Sequence, residues 1–330
     1  MTAMMQALLE VRDLHVSFSR SGQLVRAVDG LSYRLAQGQA LAIIGESGSG
    51  KTASSRALMG LLPPTAAVAG SVLFNGMQLV GLAERDMRRI RGQGISMIFQ
   101  DAARALNPTM RVGHQITEAI LQHQRRDKLS ARARAIELLD LLRVPDPKRR
   151  FSAYPHDLSG GMRQRVMIAI AIACNPKLLI ADEATRALDP ITQAETLKLL
   201  RSLQQQLGMA VLMISHDLRM ASAFADEVLV MYAGRAVEHA SPHRLFAHPR
   251  MPYTRALLDA MPGLERQPHK LAPALAGESA DLRLQNKGCP FEPRCASALA
   301  HCQTSRPALE EGEREHRWAC WNPSVMQRRT

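Results

Sequence analysis

Aromatic side chains are scarce in this chain of 330 residues, at 4% of the total. Proteins that grip single-stranded nucleic acid stack bases on such rings, so the scarcity argues against that class. No helix-turn-helix or zinc-finger pattern is found either. Long apolar runs are missing too. The longest, "VMIAIAIAC" (166–174), falls well short of the roughly eighteen residues that a membrane-spanning helix needs. The start, "MTAMMQALLEVRDL", has neither a basic n-region nor a proper apolar h-region, so it is not read as a secretory signal. We therefore expect a chain that stays in the cytosol unless a partner tethers it. Cysteine is nearly absent from the body: of five, only Cys174 precedes residue 289. No internal repeat and no low-complexity segment is found.

Acidic residues are in deficit. Lys and Arg number 42 against 30 Asp and Glu, a formal charge of +12. The basic runs are "RDMRRIR" (85–91), "RRDKLSARAR" (125–134) and "KRR" (148–150). Such a surface suits nucleic acid or an anionic membrane face, and it equally fits ordinary solvated helix faces. With so few aromatics, a membrane-surface position explains the charge at least as well as nucleic acid does.

Residues 8–19, "LLEVRDLHVSFS", alternate apolar and polar as a half-buried strand does. A second strand lies within 27–36, a turn at Gln37-Gly38, then the apolar strand "ALAIIG" (40–45). A helix is expected over "TASSRALMGLL" (52–62), stopping at Pro63-Pro64, and a hairpin around Asn75-Gly76. From about 101 to 175 the pattern is mostly helical, broken at Asn107-Pro108, Pro145 to Pro147 and Pro155. "KLLIADE" (177–183) and "MAVLMISHD" (209–217) read as buried strands around the helix "TQAETLKLLRSLQQQLG" (192–208). "EVLVMYAGRAVEHA" (227–240) reads as a strand pair turning at Ala233-Gly234. Continuous apolar strands alternating with helices imply an α/β fold with a parallel sheet covered on both faces. After about residue 255 the composition shifts to Pro, Gly, Arg and Cys.

"GESGSGKT" (45–52) fits G-x-x-x-x-G-K-[ST] in full, after an apolar strand and before a helix. Gly45, Gly48 and Gly50 let the backbone around Ser47 and Ser49 curl, so that successive N–H groups face a β-phosphate, with the helix N-terminus adding positive charge. Lys51 would reach the β- and γ-phosphates of ATP, and the Thr52 hydroxyl would hold Mg²⁺. "LLIADE" (178–183) ends a buried strand on Asp182, placed to hold Mg²⁺ through water. Glu183 beside it can orient or deprotonate an attacking water. "LSGGMRQR" (158–165) is Gly-rich and opens a helix, so Ser159, Gly160 and Gly161 can also present donors to phosphate. "MIFQD" (97–101) carries Gln100 after a strand, and "LMISHD" (212–217) carries His216.

In that order, with "ALDP" (187–190), these stretches resemble the ATP-binding subunits of ABC transporters. "FQD…LNPTMRVGHQI" (99–116), "YPHDLSGGMRQR" (154–165) and "HPRMPYTRALLDAMP" (248–262) resemble the dipeptide/oligopeptide and nickel importer branch. The resemblance implies a P-loop NTPase with a RecA-like core, an antiparallel β subdomain, a helical subdomain (about 101–175) and a small Cys-rich C-terminal lobe. The ATPase domain would cover 7–255 and the extension 256–330. It implies that two such chains pair head to tail, each ATP held by one chain's phosphate loop and the other's Ser159, Gly160 and Gly161. Phe18 would stack on adenine, Gln100 would touch Mg²⁺ and the water, His216 would contact the γ-phosphate, and Asp189 would bridge to the partner. The partners implied are a second ATPase subunit, by family habit a paralogue, two permease subunits and an extracytoplasmic solute-binding protein. No nucleic acid is expected. The position implied is peripheral, on the cytoplasmic face of the inner membrane. The function implied is ATP hydrolysis driving peptide import. The alternatives are nickel or another solute, or a soluble ABC ATPase acting on nucleic acid or ribosomes. The chain departs from the family at Ala184, where Pro is usual, and at Arg186, where a small polar residue is usual; ATP binding is expected to survive in a functional site, with the turnover rate left open.

Cys289, Cys295, Cys302 and Cys320 follow the pattern C-x5-C-x6-C-x17-C. A cytosolic chain disfavours disulfides. Structural zinc sites usually pair cysteines two to four residues apart, closer than these gaps. Four thiolates in a small lobe suit an iron–sulfur cluster, and the resemblance implies a 4Fe–4S cluster in tails of this kind. Zinc, and plain reduced cysteines in a packed lobe, remain as alternatives. Cys174 lies in an apolar helix and is read as core.

Overall fold

A computed structural model gives the fold and describes residues 7–20, 23–99, 105–185, 188–261, 277–278, 280–283, 287–312 and 315–324. In chain order the elements are β1 (Ala7–Arg20), β2 (Gln23–Ala36), β3 (Ala40–Ile44), α1 (Lys51–Leu58), β4 (Ala66–Phe74), β5 (Met77–Gln78), α2 (Glu84–Ile90) and β6 (Ile95–Ile98). There follow α3 (Val112–His123), α4 (Lys128–Leu141), α5 (Pro147–Phe151), α6 (Gly160–Ile172), β7 (Leu178–Asp182), α7 (Pro190–Leu207), β8 (Ala210–Ser215) and α8 (Leu218–Phe224). The last are β9 (Glu227–Tyr232), β10 (Arg235–Ala240), α9 (Pro242–Ala247), α10 (Pro252–Asp259), α11 (Ala300–Thr304), β11 (Glu310–Glu311) and β12 (Arg317–Trp318). The chain divides into two compact units.

One unit is made of Met1–Leu9, Arg34–Ala40 and Leu73–Ile214. Its strands β6, β7 and β8 are parallel, with Ile98 opposite Ala181 and Asp182 opposite Ile214. Every residue of the three strands assigned to this unit is buried, which is why β7 and β8 read as buried strands. Against α6 pack the helices α3 and α4, with α5 resting on both, and their inward residues include Ile116, Ile120, Ala135 and Leu138. A Cβ on Gly113 would stand 2.2 Å from the Phe151 ring, so that glycine is what lets α3 and α5 approach. Cys174 is buried just past α6 and its thiol donates to the Ala119 carbonyl at 3.4 Å, as the core reading expected. The expected hairpin at Asn75-Gly76 is present, with φ of 49° and 80° at the two turn residues and Phe74 opposite Met77.

The other unit comprises Glu10–Tyr33, Leu41–Val72 and Ser215–Thr330. Strands β2, β1 and β4 lie side by side in that order. Strand β3 runs parallel to β9, and β9 turns back into β10 at Ala233 and Gly234, with φ of 47° and 80°. The sheet does not stop at β10. Strand β12 from the far end of the chain pairs with it, Glu238 opposite Trp318, and β11 pairs with β12. Beneath that pairing Glu238 is fully buried, its carboxylate accepting from the Arg250 and Met251 N–H groups at 2.6 and 3.1 Å and lying 2.7 Å from His316 Nε2. The 255/256 boundary falls inside α10.

Candidate functional site

The loop 45–52 joins β3, buried along its whole length, to α1. Its shape is dictated by what surrounds it. Gly45 has φ 154°, and a Cβ there would meet the Met231 carbonyl oxygen at 2.2 Å. Gly50 has φ 100°, and its Cβ would meet the Ala27 carbonyl oxygen at 2.1 Å. Both positions therefore exclude any side chain. The Gly234 N–H donates to the Ser49 carbonyl at 3.0 Å, tying the loop to the β9–β10 turn. Lys51 is buried, and its ammonium donates to the carbonyls of Gly45 and Glu46, each at 2.7 Å. No acidic residue occupies the first turn of α1, so the positive end of its dipole is uncompensated by the helix itself. An anion is what a curled loop with a buried ammonium and an uncompensated helix start would hold. Thr52 opens α1 beside Lys51. In the same unit Phe18 is half-buried on β1, and His216 is exposed just after β8.

Two contacts to this loop have no counterpart in the motif. The Glu46 N–H donates to the Tyr253 hydroxyl at 2.9 Å. The Glu46 carboxylate is held by Arg294, whose Nη1 and Nη2 donate to its two oxygens at 2.8 and 3.0 Å. Tyr253 is fully buried and burial pushes its hydroxyl pKa well up, so it stays protonated. Tyr253 lies in the branch-like stretch 248–262 and Arg294 sits beside Cys295, yet neither carries a phosphate-loop signal in sequence.

In the first unit, Asp182 ends β7 almost fully buried. Glu183 follows with φ 46°, in the left-handed region, and its N–H donates to the Ile214 carbonyl at 2.9 Å. A non-glycine residue held there is uncommon and is fixed by its surroundings. Asp189 caps α7, accepting from the Ile191 and Thr192 N–H groups at 3.1 and 3.0 Å. Hydrogen bonds from Thr192, by side chain and backbone, hold its carboxyl below the usual aspartate value. Ser159 caps α6 by accepting from the Met162 N–H at 3.3 Å, and Ser159 and Gly160 face solvent. Nothing lies within 4 Å of a Cβ built on Gly160, so this helix start is open to an outside ligand. Gln100 and Arg186 lie outside the described residues.

Of the tail cysteines, Cys302 is buried and Cys289, Cys295 and Cys320 are half-buried. The Cys289 N–H donates to the Cys302 carbonyl at 2.7 Å. The Cys289 and Cys302 backbones are thus adjacent. Burial pushes the Cys320 thiol up to about 11, and the charges of Cys289, Cys295 and Cys302 push the same way. Among the described residues, however, no three His, Cys, Asp or Glu side chains gather as the shell of one metal ion requires. Neither zinc nor a cluster draws support from that geometry alone.

The family model "ABC transporter" matches residues 28–186, and the model "Oligopeptide/dipeptide transporter, C-terminal region" matches 237–302. The chain is 44% identical over 317 residues to the oligopeptide transport ATP-binding protein of Escherichia coli, covering 96% of this chain and 94% of that one. It is 43% identical to the dipeptide transport ATP-binding protein of Bacillus subtilis, at 96% and 95% coverage. To the oligopeptide transport ATP-binding protein of Mycobacterium tuberculosis it is 48% identical over 99% of its length, and there it spans about half, 53%, of the relative. A solved dimeric ATP-binding cassette with bound ADP and Pi superposes with a TM-score of 0.64 at 25% identity, covering 71% of this chain and 98% of the cassette. The fold is therefore that of a P-loop ATP-binding cassette.

Proposed function

Because this chain belongs to the oligopeptide/dipeptide branch of the ABC transporter ATP-binding subunits, we propose that it binds and hydrolyses ATP to drive peptide import. The observation that carries the proposal is the 45–52 loop. Two of its glycines are locked against neighbouring carbonyls, and its buried lysine sits where a polyphosphate's charge would be met. The backbone N–H groups around Gly48, Ser49 and Gly50 and the Lys51 ammonium would hold the phosphates, with Ser47 in the same turn. Thr52, Asp182 and Gln100 would hold Mg²⁺, which screens the developing charge. Glu183 would orient and deprotonate the attacking water, and His216 would steady the γ-phosphate. Phe18 would stack on the adenine.

Ser159, Gly160 and Gly161 would serve a nucleotide held by a second ATPase chain. The exposure of Ser159 and Gly160 supports that reading, since an open helix start offers donors to a ligand brought from outside. The remaining partners are two permease subunits and an extracytoplasmic solute-binding protein. Among the described residues no helix is long and apolar enough to cross a membrane, which suits a peripheral place on the cytoplasmic face, reached through the permeases. The division into an ATPase domain (7–255) and an extension (256–330) is part of the same proposal. So is a 4Fe–4S cluster held by Cys289, Cys295, Cys302 and Cys320. The four thiolates would be its ligands.

The test is Glu183→Gln in the assembled transporter. ATP turnover should fall about a hundredfold or more, the scale of a lost general base. Equal turnover in wild type and variant sinks the catalytic assignment.

A further inference from the structure

We infer that Arg294, far along the chain from the phosphate loop, is a positioning residue for that loop and neutralises a carboxylate within it. The inference rests on the nucleotide reading proposed above. Glu46 is held at three points. Its N–H donates to the Tyr253 hydroxyl at 2.9 Å, its carbonyl accepts from the Lys51 ammonium at 2.7 Å, and its carboxylate lies in the fork of Arg294 at 2.8 and 3.0 Å. The Arg294 side chain is only 4% exposed, so the pair is shielded from solvent on one side.

The fork is itself held rigid. Arg294 Nη1 also donates to the Tyr232 hydroxyl at 3.3 Å, and the guanidinium lies 5.8 Å from the Phe291 ring centre. Phe291 packs against Tyr232 and Tyr253, with centroids 5.4 Å away in each case. The backbone of Arg294 belongs to the short turn Glu292–Arg294, closed by the Glu292 N–H donating to the Cys289 carbonyl and the Cys295 N–H donating to the Glu292 carbonyl, both at 3.0 Å. The turn that presents Arg294 thus runs between two of the tail cysteines.

Two effects follow. A carboxylate inside a phosphate-binding loop repels a polyphosphate, and a bidentate arginine cancels that charge where water screens it poorly. The same fork fixes the Glu46 backbone, and with it the carbonyl that Lys51 engages. The C-terminal extension is in this way a structural part of the nucleotide site, and its integrity sets the affinity for ATP.

The test is equilibrium titration of the full chain with a fluorescent ATP analogue, alongside thermal melting. Arg294→Ala should weaken binding about tenfold, and Arg294→Lys should fall between, because an ammonium cannot make the two-pronged contact. In a Glu46→Ala background, where no carboxylate needs cancelling, the further loss from Arg294→Ala should shrink to less than about twofold. A merely structural arginine would lower the melting temperature and weaken binding by the same factor in both backgrounds; that result, or unchanged affinity in Arg294→Ala, overturns the inference. Should Arg294→Ala not fold, Arg294→Lys in the two backgrounds gives the same comparison. Lys51→Ala separates the two levels. If it binds as tightly as wild type, the phosphate-loop reading itself is wrong. If it loses binding while Arg294→Ala does not, only the role of Arg294 fails.

Discussion

Gly45 and Gly48 belong to one motif, yet the structure asks different things of them. Gly48 has φ 81° with nothing within 4 Å of a built Cβ, so a side chain there would meet only backbone strain. A Cβ on Gly45 would stand 2.2 Å from the Met231 carbonyl oxygen and 2.9 Å from Ser49 Oγ, so a methyl group there must displace β9 or the loop. Gly48→Ala should therefore lower stability by about 1 kcal/mol, and Gly45→Ala by roughly 2–3 kcal/mol, with weakened nucleotide binding. Urea denaturation of both variants checks the order; a larger loss at Gly48 would show that the Met231 contact does not shape the loop. Glu183 is another residue whose state the sequence hid. "LLIADE" marks its position after a buried strand, but its left-handed backbone depends on the bond from its N–H to Ile214, on a strand distant in sequence.

Elements with a clear period or a clear turn signal were legible. The alternating β1, the apolar β3, β7 and β8, and the turns at Asn75-Gly76 and Ala233-Gly234 stand as read. Helices α9 and α10 were not read, although Pro242 after Ser241 and Pro252 after Met251 mark their first turns; at six and eight residues they are too short to show a period. The break between α3 and α4 was also missed, because Asp127 caps α4 in a run with no Gly or Pro. Strands β11 and β12, two residues each, have no period at all and exist through pairing with each other and with β10.

Asp29 shows what such distant elements share. It lies on β2 and receives Arg235 of β10 at 2.9 Å and Arg306 of the tail at 3.0 Å. Burial alone would raise its carboxyl. The hydrogen bond and charge of Arg235, with the charges of Arg306 and His15, outweigh burial and hold it below the ordinary 3.8. A depressed carboxyl contributes stability above its unfolded value and loses it as pH falls. Asp29→Asn should therefore cost roughly 1 kcal/mol at neutral pH, and the gap from wild type should close as pH drops below 3.8. Denaturation curves across that range check it; a gap that widens in acid would refute the ion-pair account.

On the scale of the whole molecule, the tail is no appendage. Within its unit it completes a sheet edge through β12, seats His316 on buried Glu238 and places Arg294 on the phosphate loop. The proposed cluster would have a structural task there, because the tail brings little apolar mass of its own. Chain purified without oxygen should be brown and contain iron and sulfide in proportion to a 4Fe–4S cluster. Colourless, iron-free protein with one zinc per chain would overturn the cluster. The cysteine pattern is plain in the sequence; that the segment carrying it docks on the 45–52 loop through Arg294 is not.

Sequence alone determined the phosphate loop, the apolar strands that carry it and Asp182, and the helix-opening "LSGGMRQR". Each of these depends on local chemistry: glycines that permit a curled backbone, apolar runs that must be buried, a serine that caps. Only the tertiary structure decided which glycines are obligatory, the backbone twist at Glu183, and the grip of Tyr253 and Arg294 on Glu46. Those depend on atoms brought together from far apart in the chain, and no local pattern records which partners a folded backbone will supply.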